Sequence, residues 1–204
     1  MKLLTIKSND IESMPKRYRI NFINCLSGFK SLNLVGTKSE DGVTNLAPIS
    51  SIIHVGANPP LMGMLMRPNT VPRNTLENIM QTNFWTLNHV REEFSSKAHQ
   101  CSARYEADIS EFDAVGLKEE YTSFYAPYVA KAILKIGLKL VERIDVKTNG
   151  THFLIGEIQE IILPESIISK DGFLDLERIG SLTVSGLDSY HITKSLGRLP
   201  YAKP

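Results

Sequence analysis

The sequence predicts a mainly β protein, a β-barrel with several short helices over its ends. Short apolar runs bounded by proline and glycine turns outnumber the stretches with helical periodicity. Two dipeptides, Asp41-Gly42 and Asn149-Gly150, are typical of tight hairpins. No strand-helix-strand unit is long or regular enough for a doubly wound parallel sheet. These observations favour antiparallel strands.

Each predicted strand is a compact apolar run that ends at turn residues. The first run, 31–37, precedes the Asp41-Gly42 turn, and the runs 50–55 and 61–66 are separated by Pro59-Pro60. Further strands are predicted at 84–87, 138–146 and 152–163, the last two joined through Asn149-Gly150. Apolar and polar residues alternate over much of 138–146, which indicates a half-buried antiparallel strand.

Three short helices are predicted between the strands. Asn74 as N-cap and Glu77 three residues later resemble a capping box at the start of the first helix. A second helix carries one apolar stripe, formed by Val90, Phe94, Ala98 and Cys101. A third begins at 110–113.

Length and composition indicate a single globular domain over 1–204. The chain has 204 residues, of which 42% are hydrophobic and 22% charged, and no repeat or linker divides it. A net charge of +1 argues against a nucleic-acid partner or an anionic membrane surface. Only two cysteines occur, with no CxxC pair, and no apolar segment of signal or membrane-spanning length is found. We therefore expect a cytoplasmic protein without disulfides.

Several well-known catalytic patterns are absent from the sequence. We find no GxGxxG after a strand, no GxxxxGK[ST], no HExxH and no GxSxG. The histidines are dispersed and form no i, i+4 pair, so separate imidazoles are favoured over a metal site, and no metal is expected. They are His54, His89, His99, His152 and His191.

The informative cluster is the segment 44–51 together with two arginines that follow it. Arg67 and Arg73 supply cationic forks, and the Thr75 hydroxyl and the amides of a helix start supply donors for a phosphate. We interpret the segment as an extended loop, with Pro48 fixing its path, that can run its main chain along the edge of a flavin ring. Taken singly, Asn74-Thr75 is an ordinary helix start and each arginine a solvated surface charge. Their order and spacing favour the functional interpretation.

In this order the motifs resemble the flavin reductase-like FMN-binding split-barrel family, over residues 20–190. The matching elements are Val35-Gly36-Thr37, Gly42, Asn45-Leu46-Ala47-Pro48-Ile49-Ser50, Pro59-Pro60, Arg67, Asn74-Thr75 and Phe84-Trp85-Thr86-Leu87-Asn88. The resemblance continues through 112–117, 126–129 and Gly156-Glu157-Ile158. The tail 191–204 has no family pattern and is expected to form a C-terminal arm, with packing on a partner subunit as one option.

The resemblance implies a six-stranded antiparallel split β-barrel that forms a homodimer with FMN between the subunits. It places the ring on Asn45, Leu46, Ala47, Pro48, Ile49, Ser50 and Ser51, and the phosphate on Arg67, Arg73, Asn74 and Thr75. Family members often have Lys-Asp-Thr at 73–75, and an Arg-Pro near the start of the first strand. This chain has Arg73-Asn74-Thr75, which keeps the cation and the hydroxyl. In place of the Arg-Pro it has Lys30-Ser31, and we expect these two residues to contact the cofactor as well.

The same resemblance implies an FMN-dependent oxidoreductase, either an NAD(P)H:flavin reductase or an FMN-binding electron carrier without its own nicotinamide activity. NADH or NADPH would donate electrons, and flavin, iron, oxygen or a partner enzyme would accept them. A third, remoter option is the related pyridoxamine-phosphate-oxidase-like group, against which the segment 45–50 argues. No residue is assigned as a catalytic acid or base, because the hydride chemistry belongs to the cofactor. His54 and His191 are candidates only through possible nearness to the site.

Overall fold

The computed structural model describes residues 1–203 and consists mainly of strands with five short helices. The helices are α1 (Ser8–Ser13), α2 (Lys16–Leu26), α3 (Asn74–Thr82), α4 (Ser95–Gln100) and α5 (Glu111–Val115). The strands are β1 (Lys30–Ser31), β2 (Asn33–Lys38), β3 (Thr44–Ile49), β4 (Ile52–Ala57), β5 (Pro60–Met66), β6 (Phe84–His89), β7 (Glu119–Glu120), β8 (Tyr128–Val129), β9 (Lys135–Val146), β10 (Thr151–Ile162), β11 (Thr183–Ser185) and β12 (Ser189–His191). Single 3₁₀ turns lie at Glu92–Phe94 and Glu165–Ile167.

Seven antiparallel strands form the main sheet, in the order β3-β2-β6-β9-β10-β5-β4. The two edge strands, β3 and β4, follow each other in the chain with only Ser50 and Ser51 between them. Three peptide units span about 10 Å at most, so the sheet must curve until the end of β3 lies near the start of β4, although the two strands do not pair. Ser51 also bonds to β5, since its carbonyl accepts from Leu65 N at 3.0 Å and its hydroxyl donates to Leu65 O at 2.7 Å. The predicted mainly β barrel is confirmed, although the main sheet has seven strands.

Two smaller sheets extend the barrel. Strands β1, β11 and β12 form one, and β7 pairs with β8 in the other. The sheet of β1, β11 and β12 joins the end of β2 and β6, because Leu32 N donates to Leu182 O and Val90 N to Leu32 O, both at 3.2 Å. This sheet therefore lies beside the end of the main sheet where β3 gives way to Ser50.

The hydrophobic core is in two parts, one on each face of β2. Val35 packs with Trp85, Leu87 and the apolar side of α3, while Leu34 on the opposite face packs with α4 and α5. The apolar stripe predicted from the sequence belongs to the second part, and all four of its side chains are buried. Its residues span a 3₁₀ turn and α4 rather than one regular helix.

Two glycines of the family pattern allow close packing in this core. A Cβ on Gly36 would collide with the carbonyl of Pro127 and come within 2.6 Å of Thr86 Oγ1. A Cβ on Gly156 would collide with the indole ring of Trp85. The sequence pattern around these glycines therefore reflects packing of the barrel at least as much as ligand contact.

The structure corrects several local predictions. Segment 44–49 is a strand paired with β2, not an extended loop. The N-cap of α3 is Arg73 rather than Asn74, and Glu77 accepts a hydrogen bond from Arg73 N at 3.1 Å. The alternation in β9 does not produce half-burial throughout, since Ile144 is 43% exposed. Among residues 1–203, no helix combines the length and apolar character needed to cross a bilayer.

Candidate functional site

Strand β3 presents one face to α3 and leaves one edge without a neighbouring strand. Asn45 lies opposite Thr37 and Ala47 opposite Val35 in the ladder with β2. Leu46 points its amide away from β2, because its N–H donates to Glu111 Oε2 at 2.8 Å. Pro48, the next residue of that orientation, has no N–H. The outer edge of β3 therefore has no amide free for a ligand at either residue.

Two buried side-chain hydrogen bonds fix α3 against the strands. Asn45 Nδ2 donates to Thr75 Oγ1 at 2.9 Å, and Asn78 Nδ2 donates to Thr37 Oγ1 at 3.1 Å. Thr75 and Asn78 lie three residues apart, so both face the sheet from the same side of the helix. The pattern residues Thr37 and Asn45 thus set the position of the first turn of α3.

The start of α3 offers several donors to an anion. The amides of 74–76 have no acceptors within the helix. Since the Thr75 oxygen already accepts a bond from Asn45, its hydroxyl proton is free to donate elsewhere. The helix dipole adds a partial positive charge at the same point.

Two arginines lie on the loop that leads from β5 into α3. Arg73 Nε donates to Pro68 O at 2.9 Å, which closes the loop and leaves the two terminal nitrogens of the guanidinium unused. Partial burial and then the positive charges of Arg67 and Arg104 lower the pKa of the Arg73 guanidinium. In residues 1–203, none of these three arginines has a carboxylate within ion-pair distance. A group of unpaired cations beside free amide and hydroxyl donors is suited to a phosphate.

Arg104 belongs to none of the motifs in the sequence. It lies in the segment 101–110 between α4 and α5. Residues 102–109 of this segment have no predicted element and no family motif. Only the tertiary fold brings its charge near Arg73, 31 positions earlier in the sequence.

Lys30 and Ser31, also predicted to contact the cofactor, form no hydrogen bond to residues 67–73, the arginine loop. Lys30 Nζ donates to Asn24 O at 3.1 Å and to Gly186 O at 3.3 Å, so its ammonium group ties α2 to the β11–β12 turn. Ser31 Oγ accepts from Asn33 Nδ2 at 3.1 Å. Cofactor contact by Lys30 and Ser31 stays a prediction.

The two candidate histidines lie on different strands. His54 is exposed on the edge strand β4. His191, on β12, lies 2.8 Å from Ser185 Oγ through its Nε2. Within residues 1–203, no three His, Cys, Asp or Glu side chains form a group suited to a metal ion.

The model of the flavin reductase like domain matches residues 30–175, which is more than half of the chain. This protein belongs to that family. The match includes β3, the arginine loop, the first turn of α3 and Arg104. The flavin reductase-like identity expected from the sequence motifs is therefore confirmed.

Solved structures show the same fold over nearly the full chain. A protein assigned as a flavin reductase with a split barrel domain, from Shewanella frigidimarina NCIMB 400, is 50% identical, with a TM-score of 0.94 and coverage of 98% of this chain and 100% of that one. Nitrilotriacetate monooxygenase component B from Bacillus cereus is 18% identical, with a TM-score of 0.84 and coverage of 98% and 100%. An FMN-binding protein from Thermus thermophilus, solved with 1-cyclohex-2-enone, is 15% identical, with a TM-score of 0.73 and coverage of 98% and 100%. The latter two likenesses show the fold alone, and the split-barrel prediction is confirmed.

Proposed function

We propose that this flavin reductase-like protein is an FMN-dependent oxidoreductase that takes electrons from NADH or NADPH. The observation that carries the proposal is the group of unpaired arginines beside the first turn of α3. Arg67, Arg73 and the Thr75 hydroxyl match the charge and donors that the FMN phosphate requires. Bound FMN would supply the hydride-accepting ring, and the residues of the chain would bind and orient it.

The ring is proposed to lie along β3 and the connection that follows it. Because the amide of Leu46 is already bonded to Glu111 and Pro48 lacks one, the edge of a ring would meet carbonyl oxygens of the strand and the groups of Ser50 and Ser51. Ser50 makes no side-chain hydrogen bond within residues 1–203, so its hydroxyl is free to donate or accept. In this proposal the strand residues of the segment, 45–49, support the ring, and Ser50 and Ser51 form hydrogen bonds to it.

A homodimer is proposed because one face of the sheet exposes adjacent apolar side chains. Leu65 on β5, Phe153 on β10 and Ile144 on β9 are cross-strand neighbours in one row. Leu65 is 42% and Ile144 43% exposed, and Ile53 on β4 is 53% exposed. Such a patch is typical of an interface between proteins. Arg67 follows β5 two residues after Leu65, so a second subunit on this face would border the arginine loop.

Light scattering tests the dimer. Leu65→Glu places a charge in the row and should convert a dimer to monomers. Leu187→Glu, at a residue 40% exposed in the β11–β12 turn, is the matched control and should leave the mass unchanged. A wild-type protein that is monomeric at micromolar concentration contradicts the proposed assembly.

The activity is tested by anaerobic titration of the FMN-loaded protein with NADH and NADPH. Rapid bleaching of the flavin absorbance by either nucleotide supports the reductase. A stable flavin spectrum that neither nucleotide bleaches would instead assign an FMN-binding electron carrier. Protein that takes up no FMN contradicts both activities.

The phosphate site is tested with the double variant Arg73→Ala, Thr75→Val. Charge-assisted hydrogen bonds contribute roughly 1.5–3 kcal/mol each, so FMN should bind at least ten-fold more weakly. Quenching of flavin fluorescence on titration gives the dissociation constant. An unchanged constant would remove both residues from the proposed site.

A further inference from the structure

The segment 101–110 is held against the proposed flavin site at both of its ends. Helix α4 precedes it and α5 follows it, and both contact β3. At the far end, Ser110 Oγ lies 2.7 Å from Thr44 Oγ1, and Glu111 accepts the amide of Leu46. Asn45, between Thr44 and Leu46, bonds to Thr75 at the start of α3. The segment and the first turn of α3 are therefore attached to the same three residues of β3.

Arg104 is the cation of this segment and lacks a partner of opposite charge. The segment also contains Glu106 and Asp108, yet neither carboxylate forms an ion pair with Arg104. Within residues 1–203 its guanidinium makes no hydrogen bond, and the residue is exposed. The charge of Arg104 acts on Arg73, and an unpaired arginine near another cation is unfavourable in the absence of an anion, because like charges repel.

A bound dianion reverses the sign of that interaction. A phosphate monoester carries about two negative charges at neutral pH, with its second pKa near 6. Arg67 and Arg73 on one loop and Arg104 on another can then approach it from two directions, while α3 supplies amide donors. Shared charge-assisted contacts of this kind are stronger than an isolated ion pair on a protein surface.

We propose that Arg104 is a third phosphate-binding cation of the flavin site and that it favours FMN over riboflavin. The proposal rests on the function proposed above, since it assigns one more residue to the same cofactor. It adds a contribution from the segment between α4 and α5, which the sequence motifs do not include.

The first test compares FMN with riboflavin, which has the same ring and no phosphate. Arg104→Ala should weaken FMN binding about ten-fold in a fluorescence titration and leave riboflavin binding unchanged. Arg104→Lys should recover part of the lost affinity, since lysine keeps the positive charge but lacks the planar guanidinium that can donate two hydrogen bonds to one phosphate. Arg17→Ala, at an exposed arginine of α2 that forms no ion pair within residues 1–203, controls for the change in net charge.

The second test uses thermal denaturation with inorganic phosphate as the probe. Phosphate should raise the melting temperature of the wild type, by linkage to the folded state. Without phosphate, Arg104→Ala should melt at or above the wild-type temperature, because a repulsive charge has been removed, and its response to phosphate should be smaller. A purely structural role would instead lower the melting temperature in both conditions.

The outcomes separate the two proposals. Wild type that binds FMN, with Arg104→Ala binding it equally well, overturns the role of Arg104 and leaves the FMN site intact. Equal losses for FMN and riboflavin also overturn it, because the effect would then not concern the phosphate. Wild type that binds no FMN overturns the proposed function and the role of Arg104 together.

Discussion

Asn45 Nδ2 lies 2.9 Å from Thr75 Oγ1, and this buried hydrogen bond joins the edge strand β3 to the first turn of α3. A threonine hydroxyl has one proton to donate. Because Asn45 occupies the oxygen as a donor, the proton of Thr75 is directed to another acceptor. In the proposed function that acceptor is a phosphate oxygen, so Asn45 acts through Thr75 as a positioning residue.

Asn45→Ala should weaken FMN binding about ten-fold, since the Thr75 hydroxyl loses the bond that orients it. The measurement is the dissociation constant of FMN from fluorescence quenching. Thr37→Val is the matched control, because it removes the equivalent bond to Asn78 one turn further along α3. If the two variants weakened FMN equally, the effect would be a general loosening of α3.

Gly36→Ala should lower the free energy of unfolding by about 1–3 kcal/mol, because the added methyl group collides with the backbone carbonyl of Pro127. Chemical denaturation measures the change. Gly63→Ala provides the comparison, since the added Cβ there meets the ring of Phe153, a side chain that can rotate away. We expect the Gly36 variant to be the less stable of the two, and the opposite order would contradict the rigid contact.

The free energy of unfolding of the Glu111→Gln variant should rise relative to that of the wild type as the pH rises above 4.5. Burial raises the pKa of the Glu111 carboxyl from its ordinary value of 4.5, in spite of the hydrogen bond from Leu46 N. Its contribution to stability is therefore complete below the unfolded-state pKa and is lost as the pH rises through the folded-state pKa. Glutamine keeps an oxygen for the Leu46 amide and does not ionise. Urea denaturation of both proteins at a series of pH values would show whether the difference grows with pH, and a constant difference would contradict it.

His89→Gln should reduce the loss of stability that accompanies acidification. Burial lowers the pKa of the His89 imidazole from 6.5 to about 4, and its Nδ1 lies 2.6 Å from Ser181 Oγ. Between these two pKa values the unfolded chain binds a proton that the folded protein does not, so stability falls as the pH drops from 6.5 towards 4. Melting temperatures across this range measure the slope. An equal slope in the variant and the wild type would assign the pH dependence to other groups.

The sequence predicted the strands well where local patterns determine them. The Asn149-Gly150 turn and the alternating start of 138–146 indicated the β9–β10 hairpin, which the structure contains. The sequence predicts an extended loop over 44–51 with its path fixed by Pro48, whereas residues 44–49 form a strand. In the fold, Pro48 has an orientation that needs no amide bond to β2, so proline is compatible with an edge strand there.

The candidate site was predictable only where its residues are near one another in the sequence. Arg67, Arg73 and Thr75 lie on one loop and one helix start, which a pattern can represent. Arg104 lies near Arg73 because α4 and α5 pack on β3, and no local sequence pattern predicts that packing. The helices α1 and α2 were also not predicted, and neither contains a buried residue.

The two-residue connection from β3 to β4 has a consequence for the rate at which a ligand exchanges. It keeps the end of β3 next to the start of β4 for as long as the protein is folded. Arg67 and Arg104 lie on exposed segments outside this connection. A phosphate-bearing ligand should therefore leave without any separation of β3 from β4. Its dissociation rate should depend on salt, which screens the arginines.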